Sequence, residues 1–326
     1  MHKSAFLLEG LTLENIKKAK ELNLDSIVVN SELIAAQNIE TTKKEIPSIK
    51  VYAEVRCFTG KELLEKYPDA KPVEAQERET SIADFVALCP THPKVRKAIL
   101  EKIKNVIALD VDGIWLDYLH YPTKFDLADP VILDACYCNR CLKMFEEAIG
   151  EPIEGVGGEG TDLENTALYI DGSYYHEWLE FKAEQIVSIL REARTMINDS
   201  GKDIKLGALV IPWEDKEHGA AIKRLLAQDF GKFTQYVDEL IPMLPHKSCG
   251  KPVEWIKEKV EYFWNVGVSF LPLIQTKANG ISVDNDEFKL AVKYASTKPS
   301  SGFCVSCLED LVDQKKLIVN AAVIIR

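Results

Sequence analysis

The sequence predicts an α/β fold of the (β/α)8 TIM-barrel type, and three observations carry that prediction. Eight short runs rich in Val, Ile, Leu and Ala recur along the 326 residues, at 5–9, 26–30, 50–57, 113–118, 205–211, 240–244, 268–274 and 302–307. Continuous apolar runs of that length are what strands buried on both faces of a parallel sheet require. Between them, apolar residues recur at three- and four-residue spacing, as in Val95-Ile99-Ile103-Val106 and Leu179-Ala183-Ile186-Leu190, which predicts amphipathic helices. Finally, no G-x-G-x-x-G follows the first run, so a closed barrel is favoured over an open dinucleotide-binding sheet, and no organic cofactor is expected.

Taken in order, each strand also offers a polar residue near its C-terminal end, the face on which barrels keep their sites. The first run ends at Glu9 and the second at Asn30, and the third carries Glu54 and Arg56. The fourth reads Gly113-Ile114-Trp115-Leu116-Asp117-Tyr118. The fifth leads to Trp213-Glu214-Asp215, the sixth to His246, the seventh to Gln275, and the eighth to Glu309 and Asp310. The whole chain is expected to form one domain, with insertions at about 67–83, over the C-terminal face, and at 151–172, where glycine and acidic residues concentrate.

A formal net charge of −11 without a basic stripe argues against nucleic acid as a partner. No apolar stretch approaches the roughly 18 residues needed to cross a bilayer, and mean hydropathy is −0.10, so no membrane partner is expected. The opening ten residues lack the pattern of a signal peptide, and eight cysteines without an evident disulfide framework fit a reducing compartment. Both point to the cytoplasm. The composition leaves room for a homo-oligomer.

The convergence of carboxylates suits glycoside hydrolysis, which needs one protonated and one ionised carboxyl group. Asp117 is the leading candidate, because a carboxylate directly after Ile114-Trp115-Leu116 is costly to bury without a role or a partner. A structural alternative is an ion pair with Arg56. Glu54 and Glu214 are the candidate second carboxylates. Tyr118, Tyr121 and Trp213 are candidate stacking surfaces for sugar rings, and Asn30, Arg56, His120, His246 and Gln275 candidate hydroxyl partners. Trp115 is assigned to the core.

Cys136, Cys138 and Cys141 form a C-x-C-x-x-C turn that supplies three thiolates. A structural zinc site wants a fourth, and Cys89, at the start of the helix before strand four, is the candidate. The other cysteines, including the C-x-x-C pair Cys304 and Cys307, read as packing residues.

These motifs resemble a group of glycoside-hydrolase-like barrels. The shared text is Leu88-Cys89-Pro90-Thr91 with Pro93 and Arg96, Asp112-Gly113-Ile114-Trp115-Leu116-Asp117-Tyr118 with Tyr121-Pro122, the Cys136/Cys138/Cys141 turn with Phe145, and Pro242-Met243 with His246. The chain is also similar to the zinc-containing β-galactosidases of glycoside hydrolase family 42, and by that resemblance the four cysteines would be zinc ligands. It departs from them in having Leu116-Asp117 where they carry Asn-Glu, and Gln275 where they carry Glu. A strand-four Asp is more similar to the nucleophile of α-amylase-type barrels. Relatives of the first group also read Asp-Tyr-Ile-Arg-Tyr-Pro where this chain has His120 in the Arg position.

The reading is therefore a retaining glycoside hydrolase, with Asp117 as nucleophile, Glu214 or Glu54 as general acid and base, and a structural zinc. Its rival is a non-catalytic carbohydrate-binding barrel. A metal-dependent amidohydrolase is set aside, since strand one lacks an H-x-H pair and only six histidines occur in all.

Overall fold

The computed structural model describes residues 1–82, 85–153, 160–278, 280–311 and 318–319. Its barrel strands are β1 (His2–Leu7), β2 (Ser26–Asn30), β3 (Lys50–Arg56), β4 (Gly113–Asp117), β5 (Lys205–Val210), β6 (Glu239–Leu244), β7 in two pieces (Ser269–Phe270 and Leu273–Gln275) and β8 (Gly302–Ser306). Every neighbouring pair is parallel, and β8 returns to pair with β1, so the sheet closes as a (β/α)8 barrel. Closure removes the exposed edges that an open sheet would leave.

Two strand boundaries differ from expectation. The first strand begins at His2, which pairs with Gly302, and ends at Leu7; Leu8 and Glu9 are exposed beyond it. The seventh is interrupted at Leu271 and Pro272, because proline has no N–H for the ladder. The Leu271 N–H still donates to the Leu240 carbonyl (2.9 Å), and the Pro272 carbonyl still accepts from Cys304 N–H (2.8 Å), so the ring holds across the break.

The barrel interior is filled by one apolar layer, including Phe6, Val28, Tyr52, Trp115, Leu209, Ile241 and Cys304. Trp115 stacks on Tyr52 with ring centroids 5.4 Å apart, which places it in the core as its sequence context predicted. Two strand glycines make room for these rings. A Cβ at Gly113 would stand 2.1 Å from Tyr52 Cδ1, and one at Gly207 would stand 2.6 Å from Trp115 Cδ1.

Outside the ring, the helix Pro93–Ala108 starts with proline in its first turn, where no N–H is needed, and buries Val95, Ile99, Ile103 and Val106 against the sheet. The helix Tyr175–Ser200 buries Ala183, Ile186 and Leu190 on one stripe. Among the described residues, no helix is long and apolar enough to cross a membrane.

The described part of the 67–83 insertion contacts chain on both sides of β4 in sequence. Ala70 and Val73 carbonyls accept from the N–H groups of Cys89 (2.7 Å) and Tyr137 (2.8 Å). Ala83 lies outside the described residues. So do 154–159 of the 151–172 insertion, whose later part is a helix (Asp162–Ser173) opened by a reciprocal Thr161–Glu164 capping box.

Candidate active site and metal centre

Side chains two apart on a strand share a face, so the inward positions directly above the apolar layer are fixed by it. Above Val28 stands Asn30, above Tyr52 Glu54, above Trp115 Asp117, above Ile241 Met243, and above Cys304 Ser306. All eight strands contribute to two adjoining cavities at the barrel mouth that share Asp117, Met243, Leu273 and Ser306 as a common wall. One, of about 290 Å3, is lined by Phe85, Tyr118, His120, Phe125 and Gln275 among others. The second, of about 410 Å3, reaches Phe6, Leu8, Asn30, Leu33, Glu54 and Arg56.

Asp117 and Glu54 meet between the cavities. Their carboxyl groups stand within hydrogen-bonding reach of each other, both in buried positions. Both Glu54 oxygens are occupied as acceptors, Oε1 from Arg56 Nε (3.1 Å) and Oε2 from Asn30 Nδ2 (3.1 Å), the pattern of an ionised carboxylate. Arg56 therefore pairs with Glu54 and not across the barrel with Asp117. Burial, and then the neighbouring charge of Glu54, push the Asp117 carboxyl up to about 8. Two carboxylates this close cannot both ionise readily, and the one without a direct cation keeps the proton.

The residue after Asp117 is backbone-strained. Tyr118 lies in the left-handed region (φ 53°), uncommon for a bulky side chain. That turn aims its N–H at Asp117 Oδ1 (2.7 Å). The strain is held by two contacts, since the Tyr118 carbonyl accepts from Phe58 N–H (3.2 Å) and its ring stacks on Phe85 at 5.4 Å. Outliers of this kind persist where surrounding structure over-determines them and cluster at functional sites.

His120 lines the first cavity and stays neutral, because burial lowers its pKa to about 4. Its Nδ1 lies 2.8 Å from the Tyr121 carbonyl, which only accepts, so Nδ1 carries the proton and Nε2 is left as an acceptor. Gln275 also lines this cavity, with its amide engaged: Oε1 accepts from Lys247 N–H (2.8 Å) and Nε2 donates to the Lys277 carbonyl (2.6 Å).

Other expected site residues stand elsewhere. Glu214 pairs with the buried Lys259 (3.0 Å), which also holds Glu217, on the helix Trp255–Trp264, and it lines neither cavity. Trp213 is buried against His218, with ring centroids 4.4 Å apart. Tyr121 is buried beneath Lys182, whose Nζ lies 4.6 Å from its ring centre. His246 is wholly buried and lines neither cavity, its Nε2 donating to Glu287 Oε1 at 3.0 Å. Sequence reading missed Met243 and Ser306, which the two-residue period from Ile241 and Cys304 would have found. It also missed Phe85 and Phe125, which come from loops with no periodic signal.

The four cysteines Cys89, Cys136, Cys138 and Cys141 come together, all their Sγ atoms within 4.8 Å of one another. Cys89 Sγ lies 3.5 Å from Cys141 and 3.8 Å from Cys138, and none is in a disulfide. Sulfurs bound tetrahedrally at ~2.3 Å from a zinc ion would be ~3.8 Å apart, so the donor set and spacing fit a four-thiolate metal site. Burial pushes the nearby Lys182 down to about 8, an effect opposed by Asp134 and then by Cys136 and Cys141.

A closed (β/α)8 barrel with carboxyl groups paired at its mouth defines the class of fold in which glycoside hydrolases are common. Similar solved structures fall in that class. The glycoside hydrolase domain of PgaB (BpsB) from Bordetella bronchiseptica superposes with a TM-score of 0.72 at 11% identity, covering 98% of each chain. The β-galactosidase of the haloarchaeon Halorubrum lacusprofundi gives 0.69 at 10% identity, over 99% of this chain and 57% of that one. The glycoside hydrolase domain of PelA from Pseudomonas aeruginosa gives 0.53 at 10% identity, over 95% and 96% of the two chains. No protein-family model matches the sequence, and no curated protein is detectably similar to it.

Proposed function

We propose that this chain is a glycoside hydrolase whose proton donor is Asp117 and whose ionised carboxylate is Glu54. The observation that carries the reading is the buried contact between these two carboxyl groups at the barrel mouth. Glycosidic cleavage needs one carboxyl that donates a proton to the leaving oxygen and one that is ionised. Asp117, held protonated by burial and by Glu54, is the donor. Glu54, held by Arg56 and Asn30, is the ionised partner. These roles reverse the assignment of Asp117 as nucleophile, because Arg56 stabilises charge on Glu54. Retention, which the sequence reading tied to Asp117 as nucleophile, would here make Glu54 the nucleophile and needs the two carboxyl groups about 5–5.5 Å apart. The neutral His120 Nε2 and the aromatic rings of the first cavity receive the sugar's hydroxyls and apolar face.

Cys89, Cys136, Cys138 and Cys141 would hold zinc. Four thiolates leave no open coordination position, so the ion supplies structure, tying the start of the helix Pro93–Ala108 to the turn after β4. A reduced thiol cluster of this kind also supports a cytoplasmic setting.

The test is hydrolysis of a panel of aryl α- and β-glycosides by wild type, Asp117→Asn, Glu54→Gln and Glu214→Gln. The first two variants should lose at least about 100-fold in kcat, the usual contribution of a positioned acid or base. Glu214→Gln should stay within about threefold of wild type, since Glu214 serves Lys259. Full activity in Asp117→Asn would sink the assignment. Absence of turnover on every sugar, with glycan binding retained, would turn the reading to a carbohydrate-binding barrel.

A further inference from the structure

Asp117 stands in the wall shared by the two cavities, but Glu54 lines only the second. In glycosidic cleavage the ionised carboxylate serves the anomeric carbon, and the proton donor serves the oxygen that departs. The ring that keeps the anomeric carbon must therefore reach both groups, whereas the departing unit needs only the donor. The second cavity, with Glu54, Arg56 and Asn30 beside Asp117, meets the first requirement. The first cavity, with Asp117 and without Glu54, meets the second.

His120 indicates what the departing unit brings. It lines the first cavity yet is only 4% exposed, its ring packed 5.8 Å from that of Phe85 and 5.9 Å from that of Tyr118. With Nδ1 committed to the Tyr121 carbonyl, Nε2 is an enclosed acceptor that receives no hydrogen bond from any described residue. Its neighbours on the lining are engaged: Thr123 Oγ1 donates to the Val131 carbonyl (2.8 Å), and the Gln275 amide is held by backbone groups. An enclosed acceptor without a donor is costly, so a ligand that supplies one is favoured. A sugar offers a hydroxyl donor together with an apolar face for the adjacent rings, whereas a simple aryl or alkyl group offers no donor.

We propose that the first cavity is the leaving-group subsite, that His120 Nε2 accepts a hydroxyl of a departing sugar, and that the substrate class is a glycan with a sugar on each side of the scissile bond. The proposal rests on reading Asp117 as proton donor and Glu54 as the ionised carboxylate. In the reaction the bond between the anomeric carbon and the glycosidic oxygen breaks, and Asp117 delivers its proton to that oxygen. Water then supplies the hydroxyl at the anomeric carbon, and its other proton restores Asp117.

The experiment pairs substrates that share the retained sugar and differ in the departing group: 4-nitrophenyl β-D-glucoside with cellobiose, 4-nitrophenyl β-D-galactoside with lactose, and 4-nitrophenyl α-D-glucoside with maltose. In His120→Leu, kcat/KM should fall about tenfold on the disaccharide and stay within about twofold on its aryl partner, as the loss of one hydrogen bond to the departing sugar requires. The aryl partner reports in the same sample that the fold and the carboxyl pair are intact. His120→Gln, which keeps an acceptor, should recover part of the loss. In parallel, calorimetry on Asp117→Asn reads binding without turnover: adding His120→Leu should weaken the disaccharide by a similar factor and leave the matching methyl glycoside unchanged. Equal losses on both members of a pair, or no loss on the disaccharide, overturn the subsite. Selective weakening of disaccharide binding with no hydrolysis of any glycoside keeps the sugar site at His120 and overturns the hydrolase reading instead.

Discussion

Glu54 and Asp117 stand at the ends of adjacent parallel strands, one inward position above the stacked pair Tyr52 and Trp115, with their carboxyl groups in hydrogen-bonding reach. The apolar layer below excludes water from beneath them, and Arg56 lies against one and not the other. That asymmetry decides where the shared proton resides and sets the expectations that follow.

The first concerns pH and rate. With the Asp117 carboxyl pushed up to about 8, kcat/KM for an aryl glycoside should fall as pH rises through about 8, when the acid is lost. His120, lowered to about 4, should add no limb above pH 5. A profile flat from pH 6 to 10 would remove Asp117 from the role of acid.

The second concerns pH and stability. Asp117 has a folded pKa above its ordinary value of 3.8, so its contribution to stability is full below about pH 4 and is lost progressively as pH rises to about 8. Each unit of such a shift is worth about 1.4 kcal/mol between protonation states. Asp117→Asn should therefore be more stable than wild type at pH 8, by at least about 1 kcal/mol, with little difference at pH 4. Thermal melts of both proteins across pH 4–9 give the comparison.

The third concerns the thiol cluster. Purified under reducing conditions, the protein should carry one zinc per chain by elemental analysis, and Cys141→Ala should carry far less. Removing the ion with a strong chelator should lower stability on the order of several kcal/mol, because binding a four-thiolate metal is coupled to folding around it. Equal melting temperatures before and after chelation would argue against a structural ion.

The fourth concerns the barrel plug. Gly113→Ala puts a methyl group where Tyr52 already lies, and Tyr52 is held by Trp115. Overpacking of this kind costs about 1–3 kcal/mol, which urea titration would resolve. No change in midpoint would mean that the ring can move aside.

How much of this was legible beforehand follows from how far each feature depends on local pattern. Periodicity marked the eight strands, the inward direction of Trp115 and the strand-end position of Asp117, since a buried parallel strand must be apolar on both faces. Cysteine spacing marked the thiol cluster, because three ligands on one turn are a short-range property. Glu214 illustrates the limit: the strand end was visible, but not that Lys259, 45 residues away, would claim its carboxylate.

By itself, then, the sequence determined the barrel, its apolar interior and the cysteines that converge, all consequences of hydrophobic period and local spacing. Only the tertiary structure decided that Arg56 reaches Glu54 rather than Asp117, that Phe85 stacks on Tyr118, and that Asp117 stands in a wall shared by two cavities. Those choices depend on distances between chain segments far apart in sequence, where a shift of an ångström or two changes which charge is neutralised and which carboxyl keeps its proton.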